Sequence, residues 1–356
     1  MDLTRKSIEV IKSNQAETGA FGASPNFEPY QYCWFRDGAY CAYALDLWGE
    51  SEASAKFFSW SAELILSQKD KMETGMQRAW EGESLEEDMI LHTRYTLDGR
   101  PVEGVPWANF QLDGMGTWLW ALKQHLDRSE KTDLDERWME AVETLRRYLA
   151  ALWSVPCYDL WEEEARRLHI YTLASIWAGL NAWQGRGNGG AGHDGGQIRQ
   201  FILNNGLVDG AFVRSIGDPK IDASLLGLAL PAEILPGDDP RIVATVRRIE
   251  EQLRRGDGVH RNMRDTYYGG GAWLLLSAWL AKYYLDQGQL EQAEPLLAWV
   301  EEQAADQGWL PEQVPQNLND PSFLERWRGF WGEIASPLLW SHAKYLIAKK
   351  KQIEID

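Results

Sequence analysis

Apolar residues return every three to four positions over twelve stretches of the chain: 2–13, 37–48, 51–71, 109–126, 134–153, 169–184, 194–205, 221–230, 239–255, 270–287, 289–306 and 335–349. "DERWMEAVETLRRYLAALWS" shows this helical period most plainly, and "DDPRIVATVRRIEEQL" opens on acid and proline, as helix N-termini do. No comparable run of alternating residues appears, so the spacing predicts an all-α chain without strands. Connections alternate between short ones ("DLWGESEAS", "LDQGQLEQ") and long ones (72–108 and 306–334). That rhythm predicts six helical hairpins closed into a ring, with the long loops crowding one face, where functional residues generally collect. "GRGNGGAGHDGG" at 185–196 lacks the GK[ST] ending of a phosphate-binding loop and reads as a flexible connection. Nothing else marks a boundary, so a single domain over 1–356 is expected.

Composition narrows the partners. With 356 residues and 44% hydrophobic content, the chain can build a large core. Lys plus Arg total 36 against 53 Asp plus Glu, a formal charge of −17 that repels nucleic acid and anionic membrane surfaces and favours a neutral partner. No segment reaches the roughly 18 apolar residues of a membrane span, and a cytoplasmic protein is expected. Cys33, Cys41 and Cys157 are odd in number and lack CxxC spacing, and the six histidines are scattered without an HExxH pattern. Neither a disulfide framework nor a metal or cofactor is expected.

Tryptophan is the informative excess, at 19 residues. Trp48, Trp60, Trp177, Trp279 and Trp299 lie inside helix-period patterns and read as core. Trp34, Trp107, Trp161, Trp309, Trp327 and Trp331 fall in segments rich in Gly, Pro and charge, where a platform for a ligand is the more natural role.

Five motifs then stand in order: "YQYCWFRDGAY" (30–40), "YDLWEEE" (158–164), "HRNMRDTYYGGGAW" (260–273), "LPEQV" (310–314) and "SPLLWSHA" (336–343). Together with "YTLDGRPVEG", "NFQLDGMG" and "DASLLGLALPAEILPGDDPR", this set resembles the glucoamylase-type enzymes of glycoside hydrolase family 15 over nearly the whole chain. The resemblance implies an (α/α)6 toroid of twelve helices, in agreement with the number read from periodicity. Because helical patterning begins at once, it also implies a catalytic domain without the N-terminal β-sandwich of many prokaryotic members.

Glycoside inversion needs a protonated acid at the leaving oxygen and an ionised base holding water on the opposite face of the sugar. The resemblance assigns Glu162 as the acid and Glu312 as the base. Glu162 follows Trp161, an apolar wall, and precedes Glu163 and Glu164, whose charges favour the protonated form that an acid catalyst needs. On composition alone, "EEEARR" is equally an ordinary solvated helix start. Glu312 lies beside Gln313 and Trp309 in the last long loop, with Glu325 and Glu333 as rival bases in the same loop. Arg36 and Asp37 supply donor and acceptor together for sugar hydroxyls, or an ion pair at the start of a helix. Arg261 and Asp265 match a second polar cluster, Trp34 and Trp161 would form walls, and Trp340 would stand near the base. Trp107 and Glu163 complete the expected substrate-binding set. Arg264 departs from the acidic residue of fungal members and alters the charge expected beyond the scissile bond.

The resemblance therefore implies an exo-acting, inverting α-glucoside hydrolase that takes a short oligosaccharide of the maltose or isomaltose type. A trehalase of the same family, a phosphorylase or epimerase on the same toroid, and a non-catalytic glucan-binding protein are the alternatives. A phosphorylase would replace the base by an anion site, an epimerase would need a histidine pair, and a binding protein would be expected to lack one of the two glutamates. "LPEQV" and "YDLWEEE" keep both.

Overall fold

A computed structural model describes residues 2–102, 104–129, 135–185 and 195–355. Thirteen α-helices lie among the described residues: α1 (Leu3–Ser13), α2 (Phe35–Leu47), α3 (Ser51–Ser67), α4 (Lys69–Trp80), α5 (Asp113–Arg128), α6 (Glu136–Leu152), α7 (Ile170–Ala182), α8 (Gly196–Asn205), α9 (Pro240–Leu253), α10 (Leu274–Asp286), α11 (Leu290–Glu302), α12 (Ser322–Trp331) and α13 (Leu339–Ile355). Of the glycine-rich connection expected at 185–196, positions 186–194 lie outside the described residues.

Sequence decides which helices go inside. "IYTLASIWAGLNA" (α7) and "LLLSAWLAKYYLD" (α10) are apolar on almost every side and are enclosed by neighbours, whereas "LTRKSIEVIKS" (α1) and "PRIVATVRRIEEQL" (α9) carry one apolar stripe and lie outside. Around the ring the inner elements touch in the order α2, α5, α7, a 3₁₀ helix at Ala223–Leu228, α10 and α13, and α13 closes back onto α2. Outside them, α1 packs on α13, α3 on α2, α6 on α3 and α5, α8 on α7, α9 on the 3₁₀ helix and α11 on α10. Six inner and six outer elements make the expected (α/α)6 toroid, filled by one continuous apolar cluster from Leu3 to Ala348.

Three expectations need correction. The helix expected at 221–230 is a six-residue 3₁₀ turn: Asp222 caps it through the Ser224 N–H, and at Gly227 a Cβ would stand 2.5 Å from the Tyr171 ring. The stretch expected at 51–71 breaks at Gln68 into α3 and α4, so the loop expected at 72–108 begins as a helix whose buried stripe is only Met72, Gly75 and Met76. The late loop holds α12, no residue of which is fully buried. Strands are also present among the described residues, as four two-residue antiparallel ladders. Two of them matter for function. Cys33–Trp34 pairs with Arg94–Tyr95 and leads into α2, and Ala272–Trp273 pairs with Gln313–Val314 and leads into α10.

Candidate active site

The first residues of the inner helices converge on one end of the ring. There a cavity is lined by Trp34, Arg36, Asp37, Trp161, Glu162, Arg261, Glu312 and Trp340. Ala23, Tyr30, Leu160, Trp273 and Leu338 complete its wall. Eight of the residues singled out in the sequence thus meet in one place.

Glu162 is not at a helix start, since α7 begins only at Ile170. It stands on a tight turn with φ of 69°, a left-handed conformation rarely adopted by glutamate. Asp159 holds that turn: its carbonyl accepts the Glu162 N–H at 2.9 Å, and its carboxylate accepts the N–H groups of Trp161 at 3.0 Å and Glu163 at 2.8 Å. Arg214 anchors Asp159 in turn at 2.5 Å. The Glu162 carboxylate accepts the Trp34 indole N–H at 2.7 Å, so Trp34 is a donor as well as a wall.

The neighbours of Glu162 differ from the sequence reading. Glu163 lies 2.7 Å from Arg214 and 3.5 Å from Arg261, and Glu164 lies 3.5 Å from Arg167, so both extra negative charges face cations. Trp161 directs its indole N–H to Asp222 at 2.9 Å.

Glu312 is fixed through its backbone. Its N–H donates to the Ala335 carbonyl at 2.9 Å, and its carbonyl accepts from Leu274 at the start of α10 at 3.4 Å. The side chain is 1% exposed; Oε1 accepts the Tyr30 hydroxyl at 2.9 Å, while Oε2 makes no hydrogen bond among the described residues. Burial pushes this carboxyl up to about 8, against the opposing pull of the Tyr30 hydrogen bond and the Arg261 charge. Tyr30 also meets the Tyr267 hydroxyl at 3.0 Å. The Tyr30 and Trp34 rings stand edge-on at 5.6 Å, so each of two adjacent aromatics holds one of the two glutamates.

Arg36 donates to Gln111 at 3.0 Å and Asp113 at 3.1 Å and lies over Trp340 at 5.0 Å. Its Nε faces Asp37 Oδ2 at 3.4 Å, yet neither atom makes a hydrogen bond, and no side chain caps α2. Burial pushes Asp37 up to about 6 despite Arg36. Arg261 lies over Trp161 and Trp273 at 5.2 and 4.9 Å and is gripped by both oxygens of Asp265, with the Nε contact at 2.8 Å. The indole N–H groups of Trp273 and Trp340 are buried without acceptors. Buried polar atoms are almost always paired, so this concentration of unpaired ones around a single cavity marks where ligand hydroxyls would bond.

The remaining expected residues stand behind this wall. Asp265 and Glu163 reach the cavity only through Arg261, and Trp107 stands edge-on to Trp34 at 6.2 Å beneath the guanidinium of Arg94. Arg264 is exposed and does not line the cavity. Of the two rival bases, Glu325 and Glu333 both point to Arg328, at 2.8 and 3.1 Å, outside the cavity. Trp309 packs against the core and Trp331 is exposed. Tyr30, Trp273, Asp159, Arg214 and Asp222 are site residues that the sequence reading did not single out. Among the described residues no cluster of ligating side chains suits a metal ion, and no helix is long and apolar enough to cross a membrane.

The sequence profile described as "Glycosyl hydrolases family 15" matches residues 3–295. The chain belongs to that family. It is 35% identical to the isomaltose glucohydrolase of Kribbella flavida, over 97% of this chain and 91% of that protein. A solved glycosidase superposes with a TM-score of 0.91 at 34% identity, covering 98% of this chain and 96% of that one. A bacterial glucoamylase solved with acarbose shares the fold at a TM-score of 0.74 and 18% identity, over 99% of this chain and 56% of its own length. As a member of this family, the protein is a glycoside hydrolase.

Proposed function

We propose that the protein is an exo-acting, inverting α-glucoside hydrolase that cuts isomaltose and related short gluco-oligosaccharides from the non-reducing end. Glu162 donates its proton to the leaving oxygen as the bond breaks. Glu312 takes a proton from water that attacks the opposite face of the sugar, and β-glucose leaves. One observation carries this reading: Glu312 Oε1 is anchored by Tyr30 while Oε2 is left free in the cavity wall, the arrangement a base needs to orient water. Arg36, Asp37 and the indoles of Trp273 and Trp340 bind the hydroxyls of the terminal sugar, because their polar atoms are buried and unspent. Trp161 and Trp340 supply apolar faces to the ring.

The floor of the cavity supports exo action. Beneath Trp340 stacks Tyr40 at 5.8 Å, so a glucan chain has no way through the ring and only a chain end can enter. The isomaltose preference rests on the named relative, which is matched over 97% of this chain and 91% of its own length. A cytoplasmic setting is in keeping with three buried free thiols. Incubation with isomaltose, maltose and trehalose, each with and without phosphate, tests the reading. Glucose should be released fastest from isomaltose and at a rate indifferent to phosphate. Sugar phosphate as product, or trehalose as the preferred substrate, would overturn it.

A further inference from the structure

The inner helices carry a second cavity at their other end. It lies between Tyr40, Tyr43, Trp120, Trp279, Lys282 and Lys344, and is bounded further by Leu230, Pro231, Ala278 and Ile347. One aromatic layer separates it from the active site, since Tyr40 lines this cavity and stacks on Trp340, which lines the other. We propose that this cavity is a second binding site, for a small monoanion with an apolar body whose carboxylate pairs with Lys344.

Lys344 carries the argument. It is 4% exposed, its Nζ lies 3.6 Å from the centre of the Tyr40 ring and 3.3 Å from that of Trp279, and the neighbouring charge that acts on it is the like charge of Lys282. A buried ammonium without a counter-charge is costly, and burial next to Lys282 lowers Lys344 well below the usual lysine range. A carboxylate entering the cavity would supply what the protein withholds. The surrounding charge favours it: although the chain carries −17 overall, this end of the ring is locally cationic. Lys282 pairs with Asp286 at 2.5 Å, Lys351 approaches the same carboxylate at 3.9 Å, and Arg128 lies over Tyr43 at 5.0 Å. Those three cations stand against Asp286 and Glu354, the carboxylates acting on Tyr43 and Lys282. Tyr43, Trp120, Leu230, Pro231 and Lys282 are only partly buried, so the cavity has a mouth. Its mostly apolar wall selects an anion with an aryl or alkyl body over a bare inorganic one.

The test uses the full chain and four probes: benzoate, hexanoate, neutral benzamide and sulfate, followed by calorimetry and tryptophan fluorescence. Benzoate and hexanoate should bind at millimolar concentrations or below, and saturating glucose should not displace them. Binding should weaken at least about tenfold for benzamide, for sulfate and in Lys344→Met, whose side chain has similar length without the charge. Unchanged glucosidase turnover in Lys344→Met would show that the variant folds. Should it not fold, Ala278→Leu, which fills the cavity from α10, must lose binding while Lys344 stays in place. Equal binding of benzamide or sulfate, retention in the variants, displacement by glucose, or no binding by either carboxylate would each overturn the proposal.

Discussion

A buried carboxylate is expensive to keep ionised, and Glu312 has to be ionised to act as a base. Its folded value of about 8 lies far above the ordinary glutamate value near 4.3 of an unfolded chain. Between those limits the native state holds a proton that the unfolded state has lost, so stability falls as pH rises from about 4 to about 8 and is level above. Glu312→Gln removes that penalty. Its melting temperature should exceed that of the parent by a margin that widens over this window, to on the order of several degrees, while kcat drops by about 10²–10⁴-fold or more. A constant margin in melting scans at several pH values would contradict the burial argument. Glu162→Gln should lose activity comparably. Tyr30→Phe deletes the donor that favours the ionised base, so the acidic limb of kcat/KM against pH should move upward by roughly one unit; a downward move would exclude Tyr30 from that role. The sequence could not single out Tyr30. Tyr30 and Tyr32 are alike in "YQYCWF", and only the fold turns one to Glu312 and the other beneath Arg94. Glu162, Glu312, Arg36 and Asp37 were legible through the ordered motifs of the family resemblance, whereas Trp273 and Asp159 stand in the same motifs and only the fold shows what they touch.

At the scale of elements, period was a good guide wherever a helix buries a wide face. It failed where burial is narrow, as in α4 with Met72 and Met76 alone, or absent, as in α12, whose aromatics read as loop. It also failed at 223–228, where every residue is buried but Tyr171 crowds Gly227. Two glycines of the inner ring show how closely the sequence specifies the packing. A Cβ on Gly116 of α5 would stand 2.3 Å from the Ser175 carbonyl oxygen of α7, and one on Gly179 of α7 would stand 2.5 Å from the Gly116 carbonyl oxygen. The two helices meet backbone to backbone there. Alanine ordinarily favours a helix over glycine by about 1 kcal/mol, but here the backbone cannot withdraw without spreading the ring. Gly116→Ala and Gly179→Ala should each destabilise by about 1–3 kcal/mol in urea or thermal unfolding. Because both act at one crossing, the double variant should fall short of their sum. A stabilised single variant would show that α5 and α7 can move apart.

For the molecule as a whole, the toroid does two things that no single helix could. It brings Glu162, from the turn before α7, and Glu312, from the loop between α11 and α12, to one cavity although the chain separates them widely. It also directs helix N-termini there: Arg36 and Asp37 open α2, Asp113 is the first residue of α5, and Trp340 is the second of α13. Stereochemistry reports on this assembly most directly. Trp34 and Tyr30 hold the two glutamates apart, one each, rather than letting them share a hydrogen bond. An inverting pair stands about 6.5–9.5 Å apart and admits a water, whereas a retaining pair stands about 5–5.5 Å apart and one member attacks the sugar. With Glu312 Oε2 left unpaired beside the cavity, the first product from an α-linked substrate should be β-glucose. Anomeric proton signals recorded in the first minutes of isomaltose hydrolysis, before mutarotation, should show the β form leading. Early α-glucose would instead require a covalent glycosyl intermediate, and neither the role assigned to Glu312 nor the inverting mechanism would survive it.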